Sequence, residues 1–179
     1  MNTEQDLLRV AREAETAGDV AAARATYERL LEINARHDRA LTALARLELA
    51  SGKAEPALVW LERMTPAELE PAVQTDLFLL KAASLRMLRR HDEEVIALQS
   101  ALTVDPYCWP ALLQKAELFE RQGKPKAAAQ LYRDVLKISP PPEYRPEAFK
   151  KPLARADQMV AMYAEALEMT LLQALDGLP

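Results

Sequence analysis

The fold of this chain is decided by residues 105–140, which read DPYCWPALLQKAELFERQGKPKAAAQLYRDVLKISP. On either side of Gly123, apolar residues recur three or four positions apart, the spacing of one face of an α-helix. They are Leu112, Ala116 and Phe119 before the glycine, and Ala128, Tyr132, Val135 and Leu136 after it. Glycine permits a left-handed turn, and Pro125 suits the first turn of a following helix. The stretch therefore predicts two packed helices joined by a tight turn.

The same pattern returns along the chain with a period of 34 residues. Gly18 and Gly52 are 34 residues apart, and so are Pro106 and Pro140. A 34-residue period with a glycine inside the repeat and a proline at its end is typical of tetratricopeptide repeats, and the chain resembles that family. The resemblance implies an all-α, right-handed α-solenoid of about four helix pairs. Its repeats are predicted over residues 4–37, 38–66, 75–108 and 109–142, which form one array over 1–142.

Two of the repeats depart from the family pattern. In the second repeat, Glu48 stands where the pattern favours an aromatic residue. In the third repeat, Arg89 replaces the glycine, and the small residue of the second helix is replaced by either Glu94 or Val95. The sequence leaves both of these alignments open.

The period is also interrupted after the second and the fourth repeats. Residues 65–68 (TPAE) predict a short helical turn with a capping box, in which Thr65 is the N-cap and Glu68 reaches back. Residues 141–152 contain four prolines, which predict an extended linker over 143–152. From 153 to 179 a helix is expected to cover the end of the array. Its apolar stripe is Leu153, Ala156, Val160, Tyr163, Leu167, Leu171 and Ala174.

Composition and charge exclude several classes of protein. Of the 179 residues, 50% are hydrophobic and 28% are charged, which is typical of a folded chain. The net charge of −4 gives no electrostatic footprint for nucleic acid. The first residues lack the pattern of a signal peptide, and no run of 18 apolar residues could span a membrane, so a cytoplasmic location is expected. The single cysteine, Cys108, is interpreted as a small buried apolar residue.

The sequence contains no pattern that predicts catalysis or metal binding. Glycine-rich phosphate loops, nucleophile motifs and Cys/His clusters are missing from it. Residues 91–93 (HDE) resemble part of a facial-triad iron site, but such a site needs a second histidine nearby. The other histidine, His37, lies 54 residues upstream in another repeat. We therefore interpret residues 91–93 as the start of a helix, and predict no catalytic residue, cofactor or metal.

The candidate functional surface is the concave groove that tetratricopeptide arrays form from the first helix of each repeat. In this chain the groove positions carry several arginines, which predict a protein or peptide partner with acidic character. An alternative is that these arginines pair with neighbouring Glu and Asp residues. The predicted groove residues are Arg9, Arg12, Arg46, Arg86, Gln114 and Arg121.

A narrower resemblance concerns the last two-fifths of the chain. Residues 105–141, the proline-rich linker and the final helix resemble the N-terminal region of bacterial aspartyl/asparaginyl β-hydroxylase-like proteins. In those proteins a tetratricopeptide region precedes an oxygenase that uses iron and 2-oxoglutarate. The resemblance implies that this chain is the non-catalytic region of such a protein. The alternative is a free-standing tetratricopeptide adaptor, or a chaperone of the type that serves secretion systems.

Overall fold

The structure of the chain is a computed structural model that describes the backbone of residues 3–176 and the side chains of residues 3–164. Within residues 3–176 the chain forms nine α-helices, two short 3-10 helices and no strand. The α-helices are α1 (Glu4–Thr16), α2 (Val20–Ile33), α3 (Asp38–Ala50), α4 (Ala54–Glu62), α5 (Pro71–Met87), α6 (His91–Val104), α7 (Trp109–Arg121), α8 (Pro125–Ile138) and α9 (Glu147–Asp176). The 3-10 helices are Pro66–Glu68 and Pro142–Tyr144. The predicted all-α class, with four helix pairs and a C-terminal helix, is confirmed.

The helices group into two compact units, Met1–Val104 and Asp105–Pro179. In the first unit α1 packs against α2, α3 against α4, and α5 against α6, while α2 contacts α3 and α4 contacts α5. In the second unit α8 contacts both α7 and α9. Within the second unit, the fourth helix pair shares its apolar core with the C-terminal helix.

The core of the first unit consists of buried apolar side chains from the segment α1 to α5. They include Leu7, Ala11, Ala23, Tyr27, Leu30, Leu41, Leu44, Ala45, Ala57, Leu61 and Met64. Val10 of α1 is 41% exposed, and Phe78 of α5 is only half-buried. In α5 the fully buried large apolar side chain is that of Leu77. Neighbouring residues of a helix point about 100° apart, so burial of Leu77 turns Phe78 away from the centre of the core.

Each helix pair turns at a residue with positive φ. Gly18, Gly52 and Gly123 have φ between 70° and 75°, and Arg89 has φ 58° in the third pair. A Cβ atom added to any of the three glycines would meet nothing within 4 Å, so these turns require glycine for its backbone freedom and not for space. The prediction that these residues lie between paired helices, with Arg89 in place of a glycine, is confirmed.

Glu48, which departs from the family pattern, makes a buried ion pair. Its side chain on α3 is 7% exposed, and Oε1 accepts a hydrogen bond from Nη1 of Arg24 on α2 at 2.5 Å. The hydrogen bond from Arg24 lowers the pKa of the Glu48 carboxyl against the opposing effect of burial. An ion pair thus replaces aromatic packing where the first two helix pairs meet.

The structure decides the alignment that the sequence left open in the third pair. The side chain of Glu94 is fully buried on α6, whereas Val95 is 39% exposed. Glu94 therefore occupies the inner position at which the other pairs have a small residue. Its Oε2 lies 3.4 Å from Nδ1 of His91, the first residue of α6. The interpretation of residues 91–93 as a helix start is confirmed.

The segment between the second and third pairs forms the predicted extra turn but not the predicted capping box. Thr65 precedes the 3-10 helix Pro66–Glu68, and its side chain makes no capping hydrogen bond. Glu68 does not reach back, because its carboxylate lies 3.5 Å from Nη1 of Arg36 instead. The capping-box prediction was therefore wrong in its side-chain contacts.

The predicted extended linker over 143–152 is shorter and more ordered than expected. After the 3-10 helix Pro142–Tyr144, the side chain of Arg145 is 10% exposed and its Nη1 donates to Asp157 at 2.9 Å. The next helix, α9, begins at Glu147 and contains Pro152, whereas the sequence predicted a start at Leu153. Because proline lacks an N–H and crowds the preceding turn, this placement opposes helix formation locally.

Tertiary packing explains why α9 begins before Pro152. Phe149 makes an edge-to-face contact with Trp109 of α7, with the ring centroids 4.7 Å apart. One turn later Leu153 is fully buried, and Ala156 and Met159 continue the same face into the core of the second unit. A helix that includes Pro152 is the arrangement that buries Phe149 and Leu153 together. The apolar stripe at Leu167, Leu171 and Ala174 lies outside the described side chains.

We expect Arg24→Ala to destabilise the first unit by about 1–3 kcal/mol, between the values for exposed and buried ion pairs. The substitution leaves the carboxylate of Glu48 buried without its cation. Urea unfolding followed by circular dichroism measures the change. Arg9→Ala is the matched control, because it removes an exposed pair with Glu13 whose side chains are both 63% exposed. Equal losses in the two variants would contradict a stabilising role for the buried pair.

We expect Leu153→Ala to lower the free energy of unfolding of the second unit by about 2–4 kcal/mol, since it removes a fully buried side chain. Met162→Ala, on the same helix at a side chain that is 67% exposed, should change it by less than about 0.5 kcal/mol. Urea and thermal unfolding of both variants measure the difference. A neutral Leu153→Ala would show that α9 does not pack against α8.

Candidate functional site

A cavity in the first unit lies along α1 and reaches the start of α3. Its volume is about 650 Å³, and Arg9 and Arg12 both line it, as the sequence predicted for the groove. Arg39 of α3 adds a third arginine that the sequence did not single out as a site residue. The full lining is Gln5, Leu8, Arg9, Arg12, Glu13, Thr16, Ala17 and Arg39. We call this cavity the α1 groove.

A second cavity of about 390 Å³ adjoins the α1 groove, with which it shares Gln5, Leu8 and Arg39. It extends toward the turn between α2 and α3. There His37 is the N-cap of α3, and its Nδ1 accepts a hydrogen bond from the amide of Ala40 at 3.3 Å. The side chain of His37 thus caps the first turn of α3.

The arginines of the α1 groove differ in what they contact. Nη1 of Arg9 donates to Oε1 of Glu13 at 2.9 Å, one helical turn away. The exposed guanidinium groups of Arg12 and Arg39 make no hydrogen bond or ion pair with any residue that the structure describes. Two cations without an acidic partner thus face the same cavity. Such a cavity can accept carboxylates, which guanidinium groups bind through two parallel hydrogen bonds.

The remaining predicted groove residues lie elsewhere. Arg46 of α3 forms an ion pair with Asp76 of α5, which supports the alternative that groove arginines pair with neighbouring acids. Arg86 is half-buried near the end of α5 and does not line the α1 groove. Gln114 and Arg121 lie on α7, in the second unit. Oε1 of Gln114 is buried and accepts no hydrogen bond from the described part of the chain.

A tyrosine–glutamate hydrogen bond joins the two helices in both the first and the fourth pair. The hydroxyl of Tyr27 donates to Oε2 of Glu15 at 3.0 Å, and that of Tyr132 donates to Oε2 of Glu120 at 3.0 Å. Glu120 also accepts from Nε of Arg155 on α9 at 3.1 Å, and these donors lower the pKa of its carboxyl, Arg155 most of all. Sequence reasoning missed this contact, although both pairs share a 12-residue offset.

Burial raises the pKa of both tyrosines, and the hydrogen bond to glutamate raises it further. The pKa of Tyr27 is raised to about 12. That of Tyr132 is raised by the same two causes. Both hydroxyls therefore stay protonated and keep donating to Glu15 and Glu120 throughout the neutral range.

The described residues offer neither a metal site nor a membrane span. Among the side chains of residues 3–164, no group of three or more His, Cys, Asp or Glu residues could hold a metal ion. Along the described part of the chain, no helix is both long and apolar enough to cross a membrane.

Two family models with the description tetratricopeptide repeat match the chain, at residues 14–77 and 110–141. Together they cover more than half of its length. No curated protein sequence matches the chain.

Several solved structures are similar in fold. TTC0263 from Thermus thermophilus, a thermophilic tetratricopeptide protein, is 24% identical with a TM-score of 0.70, over 93% of this chain and 91% of that chain. MamA from Desulfovibrio magneticus RS-1 is 20% identical with a TM-score of 0.66, over 76% of each chain. YrrB, described as a tetratricopeptide protein with an unusual peptide-binding site, is 18% identical with a TM-score of 0.63, over 78% of this chain and 70% of that chain. At these identities the likeness concerns the fold.

We expect the free energy of unfolding of the wild-type protein to fall as the pH rises from about 10, where an unfolded tyrosine ionises, toward 12. In that range Tyr27 keeps its proton when folded and loses it when unfolded, so alkali favours the unfolded chain. Tyr27→Phe is less stable at pH 8 because it lacks the hydrogen bond to Glu15, but its stability should decline less up to pH 11. Urea unfolding at pH 8, 10 and 11 measures the two slopes, and parallel pH profiles would contradict the expectation.

Proposed function

The chain belongs to the tetratricopeptide repeat family, and from this we propose that it is a non-catalytic interaction module whose α1 groove binds an acidic peptide segment of a partner protein. The tetratricopeptide fold is typical of proteins that bind other proteins. The peptide-binding site of YrrB, a protein of similar fold, is in keeping with this class of function.

The observation that carries the proposal is a pair of arginines, Arg12 and Arg39, that line one cavity of about 650 Å³ and form no ion pair within the described residues. The net charge of the chain is −4, so acidic residues outnumber basic ones and could have neutralised both cations. A carboxylate from a partner would supply the missing countercharge, and the fork of each guanidinium would orient it.

Two further residues of the α1 groove fit the same ligand. Arg9 is bound to Glu13, but both side chains are 63% exposed, and an exposed pair of this kind opens at little cost. Leu8 is half-buried and lines both adjoining cavities, where it offers an apolar contact between the charged groups. The proposed ligand is therefore an acidic segment that also carries apolar side chains.

The narrower resemblance to the N-terminal region of aspartyl/asparaginyl β-hydroxylase-like proteins remains a prediction from the sequence, because neither the family matches nor the similar structures support it. In such a protein the α1 groove would hold a partner near a downstream oxygenase and raise its effective concentration there. The test is the gene sequence after the codon for Pro179. A β-rich segment with a His-x-Asp…His pattern would support the oxygenase, and a stop codon would favour a free-standing adaptor. The cytoplasmic location expected from the sequence is likewise a proposal.

We expect Arg12→Glu to weaken binding of an acidic peptide by about 5- to 30-fold, because it removes one cation and introduces repulsion. The probe is a fluorescein-labelled decapeptide of alternating Glu and Leu, and its anisotropy is measured at 50 and 300 mM NaCl. Arg39→Glu should have the same effect.

The matched control is Arg29→Glu, which makes the same charge change at an exposed residue of α2 outside the α1 groove. The wild-type affinity should fall at the higher salt concentration. Equal weakening by Arg29→Glu would show a general charge effect, and would contradict binding in the α1 groove.

A further inference from the structure

We propose that the first unit carries a second binding site, between α4, α5 and α6, for a protein segment that presents a large apolar side chain next to a single carboxylate. We call it the α5 pocket. It is separate from the α1 groove and does not depend on the function proposed for that groove.

The α5 pocket is a small cavity with apolar walls. Its volume is about 280 Å³, and its walls include Leu58 of α4, Phe78 and Leu85 of α5, and Ile96 of α6. Phe78 is half-buried, and Ile96 is 65% exposed. The rotation of α5 that buries Leu77 has thus left an aromatic ring at a surface cavity, where it is available to a partner.

Lys81 is the charged group of this pocket that forms no ion pair within the described part of the chain. Its side chain is half-buried among the apolar walls, and its ammonium group makes no hydrogen bond or ion pair with any residue that the structure describes. Glu62 is the acidic residue that acts on it, without forming an ion pair. Burial accordingly lowers the pKa of Lys81. A carboxylate of a ligand could pair with the ammonium group of Lys81 in this partly desolvated site. The attraction between the two charges is stronger there than in water.

The other charges at the rim restrict the ligand to one carboxylate. Nε and Nη2 of Arg90 bind the two carboxylate oxygens of Glu93, each at 2.6 Å, so that these two residues neutralise each other. With Glu62 and Lys81, the pocket has two acidic and two basic side chains and no net charge. A polyanion such as nucleic acid needs an excess of positive charge, which is missing from this lining.

The size of the pocket favours one side chain of a protein segment over an independent small molecule. Sites for small ligands usually have volumes of about 300–1,000 Å³ and enclose most of the ligand, whereas this pocket is smaller. A Phe or Leu side chain can enter between Phe78 and Ile96 as an anchor. An acidic residue beside the anchor would then reach Lys81.

The α5 pocket and the contact between α5 and α3 lie on opposite faces of α5. At 100° per residue, Phe78, Lys81 and Leu85 fall within one narrow sector of the helix. Asp76, which pairs with Arg46 of α3, and Ala83 point about 180° away from that sector. A segment bound in the α5 pocket therefore does not compete for that face of α5.

The test is a titration of the ¹⁵N-labelled full chain with three tetrapeptides, followed by NMR chemical shifts. The probes are acetyl-Ala-Phe-Glu-Ala-amide and two analogues, one with Gln in place of Glu and one with Ala in place of Phe. We expect shifts of the amides around Lys81 and Ile96 with the first probe, and at least fivefold weaker binding of each analogue. Shifts confined to α1 and Arg39, or no shifts at all, would overturn the proposal.

Two variants separate the charge from the apolar anchor. Lys81→Met keeps the length of the side chain and should reduce the affinity for the Phe-Glu probe at least fivefold, without changing the affinity for the Phe-Gln probe. Ile96→Ser should weaken both probes, and its control is Val59→Ser, at a residue that is 59% exposed and outside the lining. Ile96 is itself exposed, so this variant tests the pocket even if Lys81→Met fails to fold. Wild-type affinity in Lys81→Met, or equal effects of the two serine variants, would contradict the α5 pocket.

Discussion

The helix pairs depend on one steric constraint, the close contact of two helices through completely buried alanines. Ala11 and Ala23 meet this requirement in the first pair, and Ala116 and Ala128 meet it in the fourth, each with no exposed surface. A small side chain lets the two backbones approach, and the space beside it must then be filled by a large one, because protein interiors are close-packed. In the first pair that residue is Tyr27, whose hydroxyl also needs a partner once it is buried and finds Glu15.

The third pair departs from this arrangement. Glu94 stands at the inner position of α6, fully buried, and Arg89 makes the positive-φ turn in place of glycine. In this pair α5 buries Leu77 and leaves Phe78 at the surface, beside Lys81. The repeat that departs from the family pattern at Arg89 and Glu94 therefore also contributes the apolar walls and the half-buried Lys81 on which the proposed α5 pocket rests.

The arginines of the first unit include two groups, those that pair with acidic residues of neighbouring helices and those that are candidates for binding a ligand. Arg24 neutralises the buried Glu48, and Arg46 pairs with Asp76 on a neighbouring helix. Such pairs hold helices in register and leave little charge for a ligand. Arg12 and Arg39 lack this kind of contact within the described part of the chain, which makes the α1 groove the part of the predicted arginine surface best suited to an acidic partner.

The sequence by itself determined the helix pairs, since the 34-residue period, the glycine turns and the spacing of apolar residues are local properties of the chain. It also placed Arg9 and Arg12 at a common surface, because residues three apart share a helix face. Tertiary structure decided what depends on contacts between distant residues. Because Phe149 packs against Trp109, α9 begins before Pro152, although proline disfavours the interior of a helix. Arg46, which the sequence predicted to bind a ligand, forms an ion pair with Asp76 instead. The two residues are 30 positions apart in the sequence, so only the folded chain brings them together.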